Sequence, residues 1–141
     1  GLRLGYAMAH PVTTALFNQA RKPFNVSNIA IEAGVAAIQD RQHLQMVLDN
    51  NRCELERVAL FFEQQGFPYI AISGNFLTVE FGDPAINISQ KLLQQGIIVR
   101  PLIPYNMNHH LRISIGLPEE NSQLMQIIQP MIRGACHDTC E

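Results

Sequence analysis

Hydrophobic and polar positions follow two rhythms along the chain. From Arg41 to about Gln65, Leu44, Val47, Leu48, Leu55, Val58, Ala59 and Phe62 recur at three- and four-residue intervals, with Arg52, Glu56 and Glu63 on the other side. That spacing predicts a long amphipathic helix, capped by Asp40 and stopped by Gly66. After Gly66 the period shortens to two. Tyr69 to Ser73 and Asn75 to Phe81 read as strands interrupted at Gly74, with Leu77 and Val79 alternating against Thr78 and Glu80. Asp83 as cap and Pro84 in the first turn predict a helix to Gln95, burying Ala85, Ile88 and Leu92 and ended by Gly96. Two further strands carry the apolar runs Ile97–Val99 and Leu111–Ile115, joined by a loop with Pro101, Pro104 and Asn106. Pro118 opens a last helix whose stripe is Leu124, Ile127, Ile128, Met131 and Ile132, and Pro130 is expected to kink it or cut its last turn. Residues 134–141 have no periodicity and read as a frayed tail. The order β-β-α-β-β-α over 67–133 predicts a small α+β domain, a mostly antiparallel sheet with helices on one face.

The first forty residues read differently. Arg3 to Ala9 is predicted as a strand, closed by His10 and followed by a helix that has Pro11 at its first position and ends before Pro23. Ser27 is a good N-cap for a second helix, Asn28 to Gln39. That helix is apolar or small nearly all the way round, so it is expected to be buried on several sides. Nothing else in this stretch has the size to bury it, which predicts a larger body elsewhere and, failing that, self-association. The long helix then bridges two bodies.

Composition narrows the function classes. A net charge of −2 without a basic stripe excludes a general nucleic-acid binder and a membrane-surface binder. The richest apolar run, 29–38, contains Glu32 and falls short of a bilayer span. Three cysteines in no framework spacing suit a reducing compartment, and the expected location is cytoplasmic. The opening Gly-Leu-Arg predicts an internal start, with any targeting signal lying upstream.

Among charged residues, Arg100 and Arg112 stand out. Each neighbours an apolar, β-branched run near the core, where its charge must be matched by an anion. The guanidinium fork suits carboxylate or phosphate, so the two arginines are expected to converge on one small anionic ligand. The alternative is that both make structural ion pairs. His109 and His110, adjacent in a strand, point to opposite faces and do not make a metal pair. Cys136, His137, Asp138 and Cys140 supply only half a zinc site, and no metal is expected. No nucleophile elbow or phosphate loop appears. The residues alone give an anion-binding α+β domain without an evident catalyst.

Four segments add a resemblance: GLRLGY at 1–6, RKPFNVSNIA at 21–30, SGNF at 73–76, and GIIVRPL with HLRISIGLPEEN at 96–102 and 110–121. Together and in this order they resemble the C-terminal part of the fold-type I, pyridoxal-phosphate-dependent aminotransferases, most of all the histidinol-phosphate aminotransferase family. The resemblance implies an α/β enzyme of the PLP-dependent transferase-like fold. Residues 1–40 would be a remnant of the large cofactor-binding domain, 41–66 the connecting helix, 67–133 the small C-terminal domain and 134–141 a flexible tail. It implies that Arg3 pairs with the cofactor phosphate, that Arg112 holds the substrate α-carboxylate, and that Arg100 helps bind the phosphate of histidinol phosphate. It implies transamination between histidinol phosphate and 2-oxoglutarate, giving imidazole-acetol phosphate and glutamate in histidine biosynthesis, by a homodimer. The cofactor-bearing lysine of the family precedes the GLR segment. The only lysines here, Lys22 and Lys91, stand in other contexts, so the chain alone is expected to be inactive in a coupled assay. A threonine-phosphate decarboxylase and a non-catalytic small-molecule-binding or oligomerisation module remain as alternatives.

Overall fold

The computed structural model describes residues 1–71 and 74–135. The chain divides into two compact units, one over Gly1–Met46 and one from Val47 onward. The division falls inside a helix.

The first unit holds α1 (Pro11–Ala20), α2 (Asn28–Gln39) and the start of α3 (Arg41–Gln64). His10 caps α1, its Nδ1 accepting from the Val12 amide, and Ser27 Oγ caps α2 by accepting from the Ala30 amide. Asp40 Oδ1 accepts from the His43 amide at 2.9 Å and opens α3. The predicted strand Arg3–Ala9 does not form. A strand needs a ladder, and this unit offers no second strand to pair with it. Leu4 instead lays its side chain on α2 where a Cβ of Gly34 would stand. The expected burial of α2 is not met either. Ala30 is buried, but Ile29 is 73% exposed, and Ile31, Val35 and Ile38 are also open. Two short helices and a segment without strand pairing cannot enclose an all-round apolar helix, and Val12, Leu16 and Phe17 of α1 are exposed as well.

The second unit is a two-layer α+β body. Its strands are β1 (Tyr69–Ala71), β2 (Phe76–Glu80), β3 (Arg100–Leu102) and β4 (Met107–Ser114), and its further helices are α4 (Ala85–Gln94) and α5 (Pro118–Ala135). The sheet order is β1-β2-β4-β3 with every pair antiparallel. Leu77 lies opposite Ile113 and Val79 opposite Leu111. These four form one core with Val58 and Phe62 of α3, Ile88 and Leu92 of α4, and Leu124, Ile128 and Ile132 of α5. All three helices contribute to that core, so they lie on one face of the sheet. Phe62 meets Phe81 edge-on at 5.7 Å. Among the described residues no helix is long and apolar enough to cross a membrane.

Five local expectations need correction. Leu44, Val47 and Leu48 of the α3 stripe are about half exposed, because only the later turns of the helix reach the sheet. Helix α4 starts one residue late, with Pro84 at the N-cap and no side-chain cap; Asp83 Oδ1 lies 3.3 Å from His109 Nδ1 instead. Ile97–Val99 is not a strand. Gly96 takes φ +79° and the Ile97 amide closes onto Leu92 O at 2.9 Å, which holds the chain at the end of α4 until β3 begins at Arg100. Pro101, expected in a loop, sits in β3, an edge strand where its missing N–H is tolerated; a 3-10 turn at Ile103–Tyr105 and Asn106 at φ +58° complete the link to β4. Finally, α5 continues through Pro130 to Ala135, because buried Ile128 and Ile132 on either side hold the helix although one backbone hydrogen bond is missing. Residues 136–141, with the Cys136–Cys140 group, and Ser73 of the SGNF segment lie outside the described residues.

Candidate functional site

The antiparallel register makes Arg100 and Arg112 direct cross-strand partners. Directly opposed residues project from the same face of a sheet, so the two arginine side chains leave neighbouring strands on one face. Thr78 continues the row beyond Arg112, and Ile70 beyond Thr78. This row belongs to the face opposite Leu77, Val79, Leu111 and Ile113, away from the core. The Arg112 Cζ stands 5.1 Å from the centre of the Phe76 ring, a stacking geometry that leaves the fork's edge for a ligand. Among the described residues neither arginine has a carboxylate within 4.0 Å. The structural ion-pair alternative therefore has no partner there, and two adjacent like charges favour an anion between them. Arg112 Nε is buried with no hydrogen-bond partner among the described residues, and so is Nδ1 of His110, two residues earlier on the same face of β4.

Arg3 lies in the first unit. It is exposed, takes a left-handed φ of +57°, and has no ion pair among the described residues. Its guanidinium has the charge and the donors for a phosphate. His109 and His110 leave β4 on opposite faces, as their adjacency predicts.

Behind the arginine face is a polar network that periodicity did not reveal. Glu54, 7% exposed on α3, accepts from Arg57 Nη2 at 2.6 Å and from Asn121 Nδ2 at 2.7 Å. Asn121, 2% exposed, holds both backbone groups of Gly116: its Oδ1 accepts from the amide at 3.0 Å and its Nδ2 donates to the carbonyl at 3.1 Å. Asn50 Nδ2 donates to the same carbonyl at 3.1 Å, and Asn51 Nδ2 donates to Gly74 O at 3.1 Å. Glu120 Oε2 accepts from the Leu117 amide at 2.8 Å, half of a capping box at the start of α5. Hydrogen bonds from the Arg57 guanidinium hold the Glu54 carboxyl below the usual carboxylate range, against the opposing effect of burial. One sequence signal was available. Glu54 falls on the side of α3 that carries Val58, and a carboxylate on an apolar stripe needs a partner.

A family model described as aminotransferase class I and II matches residues 1–128. The chain belongs to the class I and II aminotransferases. Within that family, histidinol-phosphate aminotransferase 1 of Mannheimia succiniciproducens is 44% identical over 128 residues, covering 91% of this chain and 35% of that protein. Histidinol-phosphate aminotransferase 2 of Haemophilus influenzae is 42% identical over 135 residues, covering 96% of this chain and 37% of that protein. The aminotransferase chain thus spans little more than a third of the length of these relatives. Among solved structures, histidinol-phosphate aminotransferase from Sinorhizobium meliloti in complex with pyridoxal-5'-phosphate matches with a TM-score of 0.73 at 26% identity, over 88% of this chain and 35% of that one. A solved structure from Erwinia carotovora atroseptica shares the fold with a TM-score of 0.82 at 21% identity, over 95% of this chain and 38% of that one. The fold is accordingly that of the α/β PLP-dependent aminotransferases, represented here by two helical and α+β units.

Proposed function

We propose that this chain is the C-terminal third of a histidinol-phosphate aminotransferase, and that its sheet supplies the substrate's anion clamp. The observation that carries the reading is the placement of Arg100 directly opposite Arg112 with no acidic partner among the described residues. In this reading Arg112 grips the α-carboxylate of glutamate or 2-oxoglutarate, and Arg100 helps hold the phosphate of histidinol phosphate. The two arginines share one site in this reading, so both take part in holding the anionic group of whichever substrate is bound. That fixes its orientation, which is where much of the rate gain of a positioned reaction arises. Residues 1–40 belong to the cofactor-binding domain, α3 connects it to the small domain, and 67–133 form that domain.

The cofactor of the family reading is pyridoxal phosphate, and Arg3, exposed and without an ionic partner among the described residues, has the chemistry to hold its phosphate. When bound, the cofactor supplies the electron sink for the substrate carbanion. The apolar faces of α1 and α2 fit burial inside the intact subunit and its homodimer, in the cytoplasm.

The test uses the protein that carries this segment together with its upstream sequence. Histidinol phosphate with 2-oxoglutarate should yield glutamate, and Arg112→Gln should abolish turnover. Release of carbon dioxide from threonine phosphate, with no reversal by glutamate, would favour the decarboxylase; no turnover of either would favour a binding module.

A further inference from the structure

We propose that Asn50 and Asn51, adjacent on α3, are positioning residues for Arg112. The inference rests on the reading of Arg112 as an anion-binding group. Each asparagine pins a different turn at the same end of the sheet. Asn51 Nδ2 donates to the carbonyl of Gly74, two residues before Phe76, whose ring carries the Arg112 guanidinium. Asn50 Nδ2 donates to the carbonyl of Gly116, two residues after Ser114 at the end of β4. Phe76 and Ser114 are themselves direct cross-strand partners. The two hydrogen bonds therefore fix the stacking platform and the strand end together, one pleat from the arginine.

The chemistry of the residues supports a purpose beyond folding. Asparagine is a weak helix former, and two in succession midway along a 24-residue helix weaken it. Both are half-buried and both are used on backbone carbonyls of loops rather than on helix partners. The Gly116 carbonyl also accepts from Asn121, which Glu54 orients in turn. The β4–α5 turn is therefore held from two helices at once. Among the described residues the platform side has one side-chain bond, from Asn51, so Asn51 is the more sensitive member of the pair.

The experiment uses the full chain, with 2-oxoglutarate and inorganic phosphate as probes. Asn51→Asp keeps the shape and removes the donor; Asn50→Asp does the same at Gly116. The stacked Arg112 Nε–H carries a ring-current shift from Phe76 that NMR reads without any ligand. Asn51→Asp should collapse that shift and weaken 2-oxoglutarate binding by about three-fold or more, one lost hydrogen bond setting the lower end and the carboxylate facing the Gly74 carbonyl adding to it. Asn50→Asp should do so less. Ile128→Val, a core change on α5 that touches neither asparagine bond, serves as the stability control. If Asn51→Asp leaves the Arg112 resonance unmoved, or if Ile128→Val at the same melting temperature weakens binding equally, the positioning role is overturned. If Arg112→Gln itself leaves affinity for both probes unchanged, the anion-clamp reading fails, whatever the asparagines do to the resonance.

Discussion

At the scale of single residues, the chemistry rests on which charges are matched. Arg57 is matched by Glu54; Arg100 and Arg112 have no such partner among the described residues. That contrast makes opposite predictions. Arg112→Lys should lower affinity for 2-oxoglutarate by about ten-fold or more in titration calorimetry, because an ammonium does not reproduce the bidentate fork or the stacking on Phe76. Glu54 should instead govern stability. Its folded pKa lies below its unfolded one, so its contribution is fully present above the ordinary carboxylate range and is lost as pH falls through the lowered value. Urea unfolding across that acid window should show the loss, and Glu54→Gln should flatten it. The arginines were legible in the sequence because each stands beside an apolar run. The asparagines were not, since an amide's partner across 66 residues, as from Asn50 to Gly116, has no local signature.

At the scale of elements, period and caps carried most of the information. Ser27, Asp40 and Gly66 mark helix ends where the structure has them, and the alternation of Leu77 and Val79 against Thr78 and Glu80 fixes the inner face of β2. The misses share a cause. Ile97–Val99 has strand composition, but the closure of the Ile97 amide onto α4 overrides it. The run Arg3–Ala9 has strand composition without a partner strand. Pro130 breaks a local rule inside a helix held by tertiary packing. The central pairing also predicts where stability resides. Leu111, fully buried on β4 between β2 and β3, should cost about 2–5 kcal/mol when changed to alanine, measured by chemical denaturation. Gly66→Ala at φ +78° should cost about 1 kcal/mol in the same assay, since only glycine takes that conformation freely.

At the scale of the whole molecule, the two units differ in self-sufficiency. The second has a continuous core drawn from a sheet and three helices. The first buries Ala30 and leaves Phe17, Phe24, Ile29, Val35 and Ile38 exposed, large apolar side chains of the kind that favour association when they cluster. Sedimentation of the isolated chain should reveal self-association that rises with concentration, and a clean monomer at high concentration would contradict that. The sequence of α2 showed a helix that needs cover from more than its neighbours in this stretch, but not that these faces stay open.

Arg100 and Arg112, paired across the sheet, should act on one ligand. A double-mutant cycle for 2-oxoglutarate binding, with Arg100→Gln, Arg112→Gln and the double variant, tests it directly. Two groups sharing a ligand should couple by at least about 0.5 kcal/mol, so that the second substitution costs less than the first. Strictly additive losses, or unchanged affinity in either single variant, would contradict the account.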